Sequence, residues 1–163
     1  MKNINRDQLI RNIISAILFV VLILMTVLHL KEMKEMKTIY GIDLSFSQSL
    51  KARILHNSFI PQLLIISAFL GSFSKKKIGW LFIIIPFYFT FFDLLIVDIP
   101  NNYQEIKGYL LLLIPLAFVS ALNWKQIRRS YDAMKGQLTL NLIAILIALL
   151  FTCLKGYLSQ ITH

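Results

Sequence analysis

The chain has 163 residues, 57% of them hydrophobic and 15% charged, with a net charge of +9 and a mean hydropathy of +0.69. Soluble domains carry about 45–50% apolar residues on a comparable count; here the excess is gathered into long runs, which excludes an ordinary soluble domain and points to one compact membrane bundle. The basic residues flank those runs, so they orient spans and meet anionic membrane lipid, and nucleic acid is set aside as a partner.

Residues 1–11 are polar and basic, with Lys2, Arg6 and Arg11. The first span is predicted from Leu9 or Asn12 to Leu30; it is too long for a signal peptide and no small-residue cleavage site follows. In the polar connection Lys31–Asn57, Met33, Met36 and Tyr40 recur at helical spacing, and Ser45 with Gln48 fits a capping box ahead of the stripe Phe46, Leu50, Ile54. Two short amphipathic pieces at the interface are expected around Gly41. The second span, Ser58–Phe73, is short and carries Pro61 in its first turn. Lys75–Lys77 make a tight turn into the third, Ile78–Ile99, which holds Pro86 and a carboxylate, Asp93. A connection with Pro100 and Asn101-Asn102 leads to the fourth, Gly108–Trp124, and a basic connection leads to the fifth, Thr139–Leu158. The fold class is therefore all-α, a polytopic membrane helical bundle of about five transmembrane helices with short interfacial helices, in a single domain covering 1–163.

With five spans, Lys and Arg divide ten against seven in favour of the N-terminal side, and the short connections carry most of the bias. This puts the N-terminus in the cytoplasm. A four-span rival, with 58–73 re-entrant and both termini outside, divides them twelve against five. Isoleucine- and lysine-rich usage suggests a bacterial cytoplasmic membrane. Trp80 and Trp124 fall at the lysine side and Tyr103 and Tyr109 at the other, as aromatic belts do. Pro86 and Pro115 fall at one depth, about 12 Å in by helical rise, which predicts matching bends.

Three groups of residues bear on function. Asp93, Lys155 and Gln62 fall near the outer end of their spans and are expected to share one polar layer, with Asp93 and Lys155 as an ion pair, since intramembrane charges face the bundle and pair. That layer is a packing clasp or an ion relay. His29 and His56 lie at outer span ends, yet no third ligand has metal-site spacing. Trp124, Ile127, Tyr131 and Met134 recur at i, i+3, i+7 and i+10, with Lys125, Arg128, Arg129, Asp132 and Lys135 on the other face. This predicts an amphipathic helix on lipid or against a soluble cytoplasmic protein, with Trp124, Arg128, Arg129, Tyr131 and Lys135 as the contacting residues.

Small residues at four-residue spacing, Ser67 and Gly71, Ala68 and Ser72, Ala117 and Ala121, Ala144 and Ala148, allow close helix approach or a homo-oligomer. A lone cysteine, Cys153, cannot form an intrachain disulfide. No metalloprotease, nucleophile-elbow or phosphate-loop motif occurs, so no catalytic residue, metal or cofactor is expected. The sequence thus reads as a small non-catalytic membrane subunit acting through protein contacts, as a sensor, an anchor or an immunity or defence component. The alternative is a small oligomeric channel or transporter using Asp93 and Lys155.

Overall fold

The computed structural model describes residues 6–40, 59–98 and 106–161, and these are helical apart from short turns. Helix α1 (Arg6–Tyr40) has 35 residues, about 52 Å by helical rise and well beyond the ~30 Å of a hydrocarbon core. Its apolar part is Arg6–Leu28. The helix then continues without a break through the Lys-, Glu- and Met-rich stretch, all strong helix formers, so the first expected interfacial piece is an extension of α1. The second piece, with Ser45, Gln48, Phe46, Leu50 and Ile54, lies outside the described residues, as do Asn101-Asn102, Tyr103, His56 and the side chain of His29.

Helix α2 (Ile60–Ser72) has Pro61 in its first turn, where no N–H is needed. It is joined to α3 (Lys77–Asp93) by a hairpin in which the Ser74 amide donates to the Gly71 carbonyl at 3.0 Å and the Lys76 amide to Ser74 Oγ at 3.2 Å. Two glycines permit this approach. A Cβ on Gly79 would stand 2.5 Å from the Gly71 carbonyl oxygen, and one on Gly71 would stand 2.7 Å from Phe82 Cβ. Helix α3 runs through Pro86 and ends in a π-helical turn, Leu94–Asp98.

Helix α4 (Ile106–Leu111) and α5 (Leu113–Leu122) form one apolar course broken at Leu112. Pro115 has no N–H for the Leu111 carbonyl, and the Leu112 amide tightens onto Tyr109 at 3.2 Å. The two prolines thus differ: the helix breaks before Pro115 but runs on through Pro86. Helix α6 is short, Lys125–Ser130. A turn with Asp132 at φ 51° and Gly136 at φ 76° leads to α7 (Gln137–Ile161).

Among the described residues, three stretches are long and apolar enough to cross a membrane: Arg6–Leu28, Lys77–Val97 and Gln137–Tyr157. The other two apolar helical courses, Ile60–Ser72 and Tyr109–Leu122, are shorter. The expected count of about five spans, and the four-span rival in which 58–73 is re-entrant, both turn on these shorter helices, whose length does not confirm a crossing.

Helix α3 is the centre, with α2, α5 and α7 packed on it, while α1 packs on α2 and α6. The core joins Trp80, Ile83, Ile84 and Phe89 of α3 to Leu18 of α1, Ala68 of α2, Leu122 of α5, and Ala144 and Ala148 of α7. The alanine pair on α7 is fully buried, so its small side chains serve packing within the chain. Ala117 and Ala121 face outward.

Candidate functional site

At the lysine-rich end, the segment after α5 folds back into the bundle. Burial decides the roles here. Arg128 is 2% exposed and Tyr131 fully enclosed. Arg128 donates from Nη2 to the Ala133 carbonyl, and its guanidinium carbon lies 5.4 Å from the centroid of the Trp80 ring, within cation–π range. Among the described residues its Nε has no acceptor. Trp80 Nε1 donates to the Leu122 carbonyl at 3.0 Å, and the Tyr131 hydroxyl to the Ser72 carbonyl at 3.3 Å. From α1, Arg11 Nη1 donates to the Ser130 carbonyl at 2.7 Å, Ser15 Oγ meets Ser72 Oγ at 2.6 Å, and Arg6 Nη2 donates to Gln126 Oε1 at 3.0 Å. Most of these donors end on main-chain carbonyls, so the cluster ties helix ends together. Burial lowers the Arg128 pKa below its ordinary value and raises that of Tyr131 strongly, with Arg11 opposing the latter.

These positions correct the expected contact surface. Helix α6 has six residues, and its chain turns inward at Asp132, whose positive φ breaks the helical stripe. Arg128, inside α6, and Tyr131, at its end, are interior ties because α6 packs on α1 while Arg128 lies over Trp80 and Tyr131 reaches the Ser72 carbonyl. Trp124, Arg129 and Lys135 remain on the surface. The aromatic-belt reading changes at Trp80, which is fully buried, while Trp124, 66% exposed, and Tyr109, 55% exposed, are placed to meet an interface.

One turn further in, three side chains join α3, α5 and α7. The Tyr88 hydroxyl donates to Asn141 Oδ1 at 2.9 Å, and Asn141 Nδ2 donates to Asn123 Oδ1 at 2.9 Å. Asn123 Nδ2 in turn donates to the Val119 carbonyl at 2.9 Å. The sequence reading passed over this trio. Its signal was Asn141, an amide inside an apolar run, which needs a partner from another helix.

At the other end, Lys155 Nζ stands 2.6 Å from Asp93 Oδ2, with side chains 21% and 11% exposed. Asp93 is the last residue of α3 before the π turn. Thr152, one turn before Lys155, is buried and donates to the Ala148 carbonyl at 3.1 Å. The two charged residues are thus brought together. Gln62 is placed elsewhere, on a cavity wall with Leu22, Met25 and Thr26 of α1. Helix α2 turns that residue toward α1, a rotation that counting residues from the membrane edge does not supply.

Two larger cavities lie among the helices. One of about 280 Å³ is walled by α1, α2, α3 and α5 and brings Pro61, Pro86 and Pro115 to one place. The other, about 560 Å³, is a groove among α2, α3 and α7. Their walls are almost wholly hydrocarbon. Among the described residues, no three His, Cys, Asp or Glu side chains gather as a metal site would need. Comparison of the chain with protein-family models, with curated proteins and with solved structures gave no match.

Proposed function

We propose that the protein is a small, non-catalytic integral membrane subunit that acts through protein contacts, as a sensor, an anchor or an immunity or defence component. In this reading it is a five-span bundle in a bacterial cytoplasmic membrane with its N-terminus in the cytoplasm. The observation that carries the reading is how the polar groups are used. Asp93 and Lys155 close on each other at 2.6 Å, the lysine-side donors end largely on backbone carbonyls, and both large cavities between them are apolar. Such an arrangement suits holding helices in register.

Two surfaces suit partners. Leu138, Leu142, Leu146 and Leu150 form an exposed stripe on α7 that suits a second copy of the chain. Trp124, Arg129 and Lys135, beside exposed Met134, suit a soluble cytoplasmic protein. The alternative, an oligomeric channel or transporter, draws on the π turn directly after Asp93, because such turns occur often at functional sites.

Two variants separate the readings in native membranes. Arg129→Glu with Lys135→Glu is expected to dissociate the native complex on blue-native gels, and Asp93→Asn is expected to leave ion flux in reconstituted vesicles at the lipid background. Flux through the wild-type protein that Asp93→Asn abolishes would overturn the proposal. Single cysteines at positions 45 and 125 test the span count, since five spans put them on opposite sides and four spans put them on one.

A further inference from the structure

We infer that the groove among α2, α3 and α7 is a binding site for one anionic phospholipid, with an acyl chain along the groove and the phosphate at Lys75–Lys77. The groove has a volume of about 560 Å³ and is lined by Leu63 and Ser67 of α2, Ile78 and Ile85 of α3, and Ile147 and Phe151 of α7. This volume lies in the range of small-molecule sites, about 300–1,000 Å³. On α3 the wall starts at Ile78, next to Lys77, and runs to Ile85, about 10 Å by helical rise, and it continues along the Phe59–Ser67 half of α2, away from the lysines. One leaflet of a ~30 Å hydrocarbon core is about 15 Å deep, so the groove follows an acyl chain through most of a leaflet.

Charge selects the occupant. Ile78 lines the groove and directly follows Lys75, Lys76 and Lys77, all three exposed. No acidic residue lies between Lys51 and Phe92 in the sequence, so the α2–α3 hairpin itself carries no offsetting charge. A transmembrane helix from another protein would fill the apolar part and leave three lysines unmatched; a zwitterionic lipid would do the same. A phosphate-bearing anionic headgroup answers both parts of the site. The site does not depend on the partner reading above, since it uses neither the α7 leucine stripe nor Arg129 and Lys135.

The test is native mass spectrometry of the full chain released from micelles with equimolar phosphatidylglycerol and phosphatidylcholine. A lysine near an anionic headgroup contributes about fivefold in affinity, so three are expected to give roughly a hundredfold preference for phosphatidylglycerol. Changing Lys75, Lys76 and Lys77 together to Gln is expected to remove the preference. Ile147→Trp and Leu63→Trp, which fill the groove from opposite walls at partly exposed positions, are each expected to reduce phosphatidylglycerol binding at least tenfold. Because the two fillers lie on different helices, a folding failure in one leaves the other to report. Equal retention of the two lipids by the wild-type chain would overturn the inference. So would phosphatidylglycerol binding that survives both fillers, or fillers that dissociate a protein complex while lipid binding stays unchanged.

Discussion

The Asp93–Lys155 contact supports a prediction with a direction as well as a size. Its two charges are not equivalent. Asp93 is a short side chain 11% exposed, whereas Lys155 is 21% exposed and lies two residues before the end of the apolar stretch at Tyr157. If Asp93 is removed, the lysine can extend its ammonium toward the interface. If Lys155 is removed, the carboxylate cannot follow. A stranded charge inside a bilayer costs about 2.5–3.5 kcal/mol on insertion scales, and breaking a buried pair in soluble proteins costs about 3–5 kcal/mol. Lys155→Ala is therefore expected to destabilise by about 3 kcal/mol and Asp93→Ala by about 1–2 kcal/mol, the reduction reflecting the lysine's reach. The double variant leaves no charge stranded, so it should be less damaging than the two single losses added together, with a coupling of at least ~1.5 kcal/mol. The assay is reversible unfolding in mixed micelles of increasing SDS fraction, followed by Trp80 fluorescence in a Trp124→Phe background. Single variants within ~0.5 kcal/mol of the parent, or strictly additive losses, would refute the argument. An aspartate variant clearly worse than the lysine variant would refute its asymmetry.

Gly79→Ala should destabilise by about 1–3 kcal/mol, because its new Cβ would meet the Gly71 carbonyl oxygen at 2.5 Å and Ser74 Cβ at 2.7 Å. Gly156→Ala, where a Cβ meets open space, should be neutral or stabilising by up to about 1 kcal/mol; thermal melts in detergent compare the two. Arg128→Ala should cost about 2–4 kcal/mol by removing a buried donor from the Ala133 carbonyl and a cation from the Trp80 ring, whereas neighbouring Arg129→Ala should change the same melts by no more than ~0.5 kcal/mol. Tyr131 carries an alkaline signature. Its folded pKa is raised above the free value of 10.0 by burial, so its contribution is complete below that value and is lost as pH rises through the higher folded value. Tyr131→Phe should flatten this alkaline loss of stability, and a tyrosine absorbance titration of the wild-type chain that shows every phenol ionising near pH 10 would contradict the burial.

Membrane character, helical class and the meeting of Asp93 with Lys155 were legible because each follows from one-dimensional facts. Apolar run length sets what can cross lipid, and rise per residue sets depth. What was not legible is rotation about the helix axis and the course of turns. Gln62 lines a cavity against α1 and is not brought to Asp93 and Lys155. Arg128 and Tyr131 have amphipathic spacing, yet α6 packs on α1 and Arg128 lies over Trp80, so residues counted onto a surface become interior ties, and positive φ at Asp132 ends the stripe after them. Trp80 was assigned to lipid because tryptophans near lysines usually sit there. Its burial depends on a facing carbonyl and guanidinium 42 and 48 residues away in sequence, which no local pattern contains.

The apolar part of α1 is buried unequally along its length. Near the lysine-rich end, Arg6, Arg11 and Ser15 each bond to another segment, and Ile14 and Leu18 enter the core. Past Phe19, whose ring lies 5.8 Å from that of Phe69, the apolar side chains of Leu24, Val27 and Leu28 are all more than half exposed. Within that stretch Thr26 donates back to the Leu22 carbonyl of its own helix. Helix α7 shows the opposite pattern, tied to α3 both near Asn141 and at Lys155. Local opening follows contact density, so the outer half of α1 is where the bundle should open first. Hydrogen exchange in micelles should report this as faster amide exchange from Leu22 to Leu28 than over Ala144 to Thr152, two stretches of comparable hydropathy. Equal protection in the two would mean that lipid or a partner, rather than the chain's own bonds, sets the stability of α1.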